Sequence, residues 1–235
     1  MAETMNQETT PIAPALRTPR AAAVAGILFS VLYGAVIVLS RLAIPEGPGN
    51  ADVAALPESS IRAVRFALAL MPWAGIAFLW FMGVMRSRVG RLEDQFFSTI
   101  FFGSGLLLLA MGYTSAALGS GILSTFASAG AKVVDNGVLL LGRSVMYTVA
   151  NIYGIRMSGM FMLSLGTIWV RTRVMPRLFV ALTYVLALFL LLGINLSLWT
   201  QLIFPAWVLA VSIFILVASR RSETAEGQAE LGAVG

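Results

Sequence analysis

Apolar residues fall in six long runs along the chain, most of them closed by arginine. The first, Ala21 to Ser40, is about long enough to cross a bilayer, which takes roughly 20 apolar residues in a helix. Arg41 ends it, and the prolines, glycines and acids between Pro45 and Glu58 have loop chemistry. Ser59 and Ser60 offer an N-cap for a second span over Val64 to Met85, in which Pro72 removes a backbone donor and predicts a kink. Arg86, Arg88 and Arg91 close that span. Glu93 and Asp94 then suit the N-terminus of a third helix reaching Leu118. A fourth span covers Ser144 to Val170, and a turn with Arg171, Arg173, Pro176 and Arg177 leads into a fifth that ends at Ile194. The sixth runs from Leu202 to Ser219, where Arg220 and Arg221 stop it.

Three stretches do not read as spans. Residues 1–20, with Pro11, Pro14 and Pro19 among polar residues, cannot bury enough apolar area to order and are expected to form a disordered cytoplasmic tail. The acidic, glycine-bearing stretch 220–235 reads the same way. The domain organisation is thus a six-helix unit, residues 21–219, between two tails. Its first run lacks a small-residue cleavage site, so it reads as a retained anchor. From Gly119 to Arg143, Ile122, Phe126, Ala129 and Val133 recur at helical spacing, while Lys132, Asp135 and Arg143 interrupt any spanning run. That pattern predicts a helix along the outer surface, interfacial or re-entrant.

Composition agrees with this pattern. With 58% hydrophobic and only 11% charged residues, and a mean hydropathy of +0.87, the chain cannot clothe a water-soluble globule of its size. The expected fold is an all-α, polytopic transmembrane helix bundle of about six spans. The formal charge of +5 comes from arginines at the ends of apolar runs, a placement that fits anionic lipid headgroups and excludes a nucleic-acid footprint. With a cytoplasmic N-terminus, the inner segments carry Arg17, Arg20, Arg86, Arg88, Arg91, Arg171, Arg173, Arg177, Arg220 and Arg221. The outer side carries Arg41, Arg62, Arg65, Lys132 and Arg143. This bias predicts a cytoplasmic (inner) membrane protein with both termini inside. Trp199 at the outer turn and Trp169 at the inner end of the fourth span fall where aromatic belts form.

The run GIAFLWFMGVMRSRVGRLEDQFFSTIFFGSGLL from Gly75 resembles a set of uncharacterised multi-pass membrane proteins of actinobacteria. The runs RMSGMFMLSLGTIWVRTRVMPRLF from Arg156 and LIFPAWVLAVSIFIL from Leu202 are similar to the matching end of the same set. The resemblance covers most of the chain after the first loop and implies fold and location only.

Candidate chemistry is sparse. The chain has no histidine and no cysteine, so zinc, haem, iron–sulfur and disulfide chemistry lose their usual ligands, and no cofactor is expected. Arg156 stands near the middle of the fourth span, where a charge costs roughly 2.5 to 3.5 kcal/mol on insertion scales and no span offers a carboxylate. It and Asn151 are the candidate ligand-binding residues. One account turns Arg156 inward to meet an anion such as a lipid phosphate. The other has it bond backbone carbonyls, snorkel, or sit shallower than mid-span. Glu93 and Asp94 could serve as an acid–base pair, but helix capping and local ion pairing account for them. Gly103, Ser104, Gly105, Gly112, Ser115, Ala116, Gly119 and Gly121 predict close helix approach, and the methionines from Met146 to Met162 read as adaptable packing rather than a copper path.

An intramembrane enzyme would need paired acids, histidines or metal ligands that these spans lack. A small-molecule or lipid transporter with Arg156 as an anion site is the second reading, weakened by the absence of an intramembrane acid for ion coupling. The first is a non-catalytic bundle that packs with itself or with a membrane partner.

Overall fold

In the computed structural model, residues 19–43, 57–89, 95–129, 136–173, 175–193 and 198–233 are described. They form α1 (Pro19–Ala43), α2 (Glu58–Val89), α3 (Gln95–Ala129), α4 (Asn136–Tyr147), a π-helical segment (Thr148–Gly154), α5 (Ile155–Thr172), α6 (Arg177–Leu192), a 3-10 turn (Leu198–Leu202) and α7 (Ile203–Ala233). Among the described residues there is no strand, and the fold is an all-α bundle. Four helical stretches, within α1, α2, α3 and the 3-10 turn with α7, are by themselves long and apolar enough to cross a membrane. The π-helical segment runs directly into α5, and α6, 16 residues long, is a shorter apolar helix packed beside α5. The chain is a multi-spanning membrane protein.

The helices pack as a ring. α1 lies against α2 and α7, α2 against α3, α3 against α5, and α5 against α6. Side-chain contacts between α6 and α7 close it: the Trp207 indole donates to Thr183 Oγ1 at 3.0 Å, and Phe179 stacks on Phe214. The centre is filled by aromatic rings from five helices. Phe161 of α5 is fully buried, 4.5 Å between centroids from Phe101 of α3 and 5.3 Å from Phe78 of α2. Phe29 of α1 and Phe204 and Trp207 of α7 complete the cluster. In lipid there is no hydrophobic drive between helices, so dense ring packing of this kind supplies the association.

Small residues set the approach of α3. A Cβ on Gly105 would run into the Met82 sulfur, one on Gly112 into Met71, and one on Gly119 would lie 3.3 Å from the Met146 sulfur and 3.6 Å from Leu68. These three glycines recur every seven residues, the period at which one face of a helix stays against a neighbour through a left-handed crossing.

Two expectations are revised. Gly119 to Arg143 does not form a separate surface helix. Its first part continues α3 to Ala129 and its last part lies in α4, with 130–135, including Lys132 and Asp135, outside the described residues. The two arms pair as an antiparallel hairpin, in which Ser115 donates to the Met146 carbonyl and Gly142 sits against Ile122. With 35 residues, α3 is roughly 50 Å long against a hydrocarbon thickness of about 30 Å, so an upright α3 is longer than the layer it would cross. The second revision is at the C-terminus, where α7 runs to Ala233 instead of ending near Ser219. Ala225, Gln228, Ala229 and Glu230 are strong helix formers, and their propensity carries the helix past its apolar part. Residues 1–18 of the expected N-terminal tail lie outside the described residues, as do Glu93 and Asp94.

Candidate functional site

Two polar layers mark the ends of the bundle. At the near end, Arg86 of α2 lies over the Phe102 ring and Arg171 of α5 over the Phe97 ring, each 4.8 Å from the centroid. Both are cation–π contacts that let a guanidinium rest at the edge of an apolar layer. At the far end, Arg41, in the last turn of α1, donates from Nη2 to Asn151 Oδ1 at 2.8 Å and to Gln201 Oε1 at 3.3 Å. These bonds place the end of α1 beside the start of α7. The two helices therefore run antiparallel, and the beginning of α1 and the end of α7 share the near end.

Asn151 sits in the π-helical segment and is buried. A π turn carries an extra residue, and its backbone N–H groups bond the carbonyls five residues back instead of four. Two side chains donate to carbonyls in and beside this segment. Asn151 does so from Nδ2 to the Tyr147 carbonyl at 3.1 Å. Arg156 does so from Nη1 to the Ile152 carbonyl at 2.9 Å. Gly154 lies against α3, where a Cβ would find ordinary contacts, 3.4 Å from the Val149 carbonyl oxygen and 3.9 Å from Leu108 and Met111.

The two candidate residues are not brought together. Asn151 faces the interior and Arg41. On α5 the buried residues are Ser158, Gly159, Phe161, Met162, Ser164, Leu165, Gly166, Ile168 and Trp169. Arg156, Met160, Leu163, Thr167 and Val170, at spacings of three and four, form the other face. Arg156 is thus partly exposed on the side of α5 away from those buried residues, which departs from the inward orientation considered for it. It also sits shallower than mid-span. The 15 residues separating it from Arg171 span roughly 22 Å of a hydrocarbon layer about 30 Å thick, leaving about 8 Å to the far surface. Trp169 departs as well: it is 2% exposed and packs on Trp207, 5.8 Å between centroids, instead of joining a belt. Trp199, 43% exposed, remains at the far edge.

Sequence reasoning missed Arg41. It reads as one more arginine at the end of a span, and its partners lie 110 and 160 residues away. Gln201 carried no signal at all.

No protein-family model matches this chain, and no curated protein or solved structure matches it either.

Proposed function

We propose that this protein is a non-catalytic assembly subunit of the cytoplasmic membrane, and that it associates laterally with a second copy of itself through α3. One observation carries the reading. α3 has a second seam of small residues, Gly103, Ala110 and Ala117 with Thr114 and Gly121, and it recurs at the same seven-residue period as the glycines already used against α2 and α5. Nothing among the described residues covers it: a Cβ at Gly103 or Gly121 would meet no atom within 4 Å, and Ala110, Thr114 and Ala117 are exposed. The α3 span is also the least covered of the four long ones, 28% buried against 39 to 44%. In one membrane two copies point the same way, so a two-fold axis along the bilayer normal would set each seam residue against its own counterpart.

The arginine bias supports a near end in the cytoplasm, with both termini there and the α3–α4 hairpin outside.

Because the chain has no cysteine, single cysteines test both points at once. Gly103→Cys and Ala110→Cys should each give a disulfide-linked dimer when native membranes are treated with a permeant oxidant, and Val185→Cys on the outer face of α6 should not. Gly121→Cys should react with an impermeant thiol reagent in intact cells. Equal crosslinking at Val185, or none on the seam, would sink the dimer. A heterologous adduct on the seam would replace the second copy with a different partner. Protection of Gly121→Cys until the cells are opened would reverse the orientation.

A further inference from the structure

We infer that Arg156 and Tyr153 form a binding site for the phosphate of an anionic phospholipid headgroup in the leaflet at the far end of the bundle. The inference is independent of the α3 seam. It begins from the donor count. A guanidinium has five N–H donors in a planar fork and stays charged at any physiological pH. Among the described residues, Arg156 has one hydrogen bond, to the Ile152 carbonyl. That carbonyl is neutral, so the bond fixes the direction of the side chain and leaves the charge and the remaining donors unmet by the described residues.

Direction and depth identify what lies there. Side chains on a helix lean toward its N-terminus, which for α5 is the far end, and the bond to Ile152 shows this one doing so. The roughly 8 Å between the Arg156 backbone and the far surface is largely bridged by a stem that rests along the apolar helix face while its head seeks the interface. Three residues earlier, on the same side and nearer the surface, Tyr153 is 52% exposed and its hydroxyl has no protein partner among the described residues. A forked cation with a hydroxyl donor above it, on a face turned to lipid, suits a phosphodiester, whose two free oxygens accept from both. The site has no wall against the bilayer, so the ligand that reaches it is one already resident in the leaflet.

The test uses the full chain, purified in a mild non-ionic detergent, freed of lipid and titrated with phosphatidylglycerol or with inorganic phosphate, with bound lipid counted by native mass spectrometry. Wild type should retain one phosphatidylglycerol more than Arg156→Met, or bind it about tenfold or more tightly, as expected for a charge-assisted hydrogen bond. Tyr153→Phe should fall between them. Arg156→Lys keeps the charge but loses the fork, so it should bind less than wild type, and it decides the matter if Arg156→Met does not fold. Retention equal to wild type in Arg156→Lys and in whichever of the other variants folds would overturn the site. Saturable displacement of the lipid by inorganic phosphate at equal concentration would overturn the headgroup as its ligand in favour of a soluble anion.

Discussion

The closest backbone approach between helices gives the sharpest test of the packing. A Cβ placed on Gly159 of α5 would lie 2.9 Å from the Ala187 carbonyl oxygen and 2.9 Å from Leu191 Cγ of α6. Carbon and carbonyl oxygen normally approach no closer than about 3.3 Å, so Gly159→Ala must open the pair by roughly 0.4 Å. The obstacle is backbone and cannot rotate away. Overpacking of this sort costs about 1 to 3 kcal/mol. Replacing glycine by alanine inside a helix also gains up to about 1 kcal/mol of helix propensity, so the informative quantity is a difference between variants. Gly83 of α2 supplies the reference, because a Cβ there meets nothing within 4 Å. Gly166 supplies an intermediate on the same α5–α6 interface, where the nearest atom, Thr183 Cγ2, would be at an ordinary contact distance of 3.4 Å. Thermal unfolding in mild detergent should place Gly159→Ala below Gly83→Ala by about 1 to 3 kcal/mol, or several degrees in Tm for a chain of this size, with Gly166→Ala close to Gly83→Ala. If all three shift alike, α5 and α6 are not held at this distance, and the account of their packing is refuted.

Two further predictions concern buried polar contacts. Thr183 Oγ1 accepts from the Trp207 indole at 3.0 Å while donating to the Phe179 carbonyl at 2.9 Å, so isosteric Thr183→Val should cost about 1 to 3 kcal/mol by orphaning the indole N–H. The loss should shrink in a Trp207→Phe background, and an undiminished loss there would show that the bond is not its source. At the far end, Asn151→Leu and Arg41→Met should each destabilise the bundle, and the double variant should lose less than the two losses added, because both remove the same 2.8 Å bond. Strict additivity in thermal unfolding would mean that Arg41 and Asn151 act separately.

The membrane class and the runs that become helices were legible because lipid permits few backbone solutions. A long apolar run must become a helix, and charge must gather at its ends. Element ends were less legible for a related reason. The hydropathy of α3 falls after Leu118, but a helix needs no apolar side chains to continue into water when its polar part can pair with another arm. That pairing, Ser115 with Met146 and Gly142 with Ile122, depends on two segments meeting after a turn. The glycines illustrate the same limit. Gly103 and Gly105 are two residues apart in one small-residue stretch, yet Gly105 is packed against Met82 and Phe161 while Gly103 faces open space. Helical geometry separates them by about 200° around the axis, but only the neighbouring helices decide which side is filled.

The candidate site shows why a charge in a span is an incomplete signal. Arg156 and Arg41 look alike in sequence, each a guanidinium near an apolar run, but the structure gives them opposite surroundings. Arg41 turns inward and ties α1 to the π-helical segment and to the start of α7 through two amide oxygens. Asn151 can serve it because its amide group has both kinds of atom: Oδ1 accepts from Arg41 while Nδ2 donates to the Tyr147 carbonyl. The polar residues within the bundle at this end are thereby committed to holding helices together, which leaves them little capacity to line a path for a solute. Arg156 is partly exposed and, among the described residues, is bound to a single carbonyl. Among the described residues the centre of the bundle is filled by aromatic rings, and Ser212 Oγ is its one buried side-chain oxygen without a hydrogen-bond partner. The lateral dimer and the headgroup site proposed above both draw instead on the outer surface, through the small-residue seam of α3 and the partly exposed Arg156.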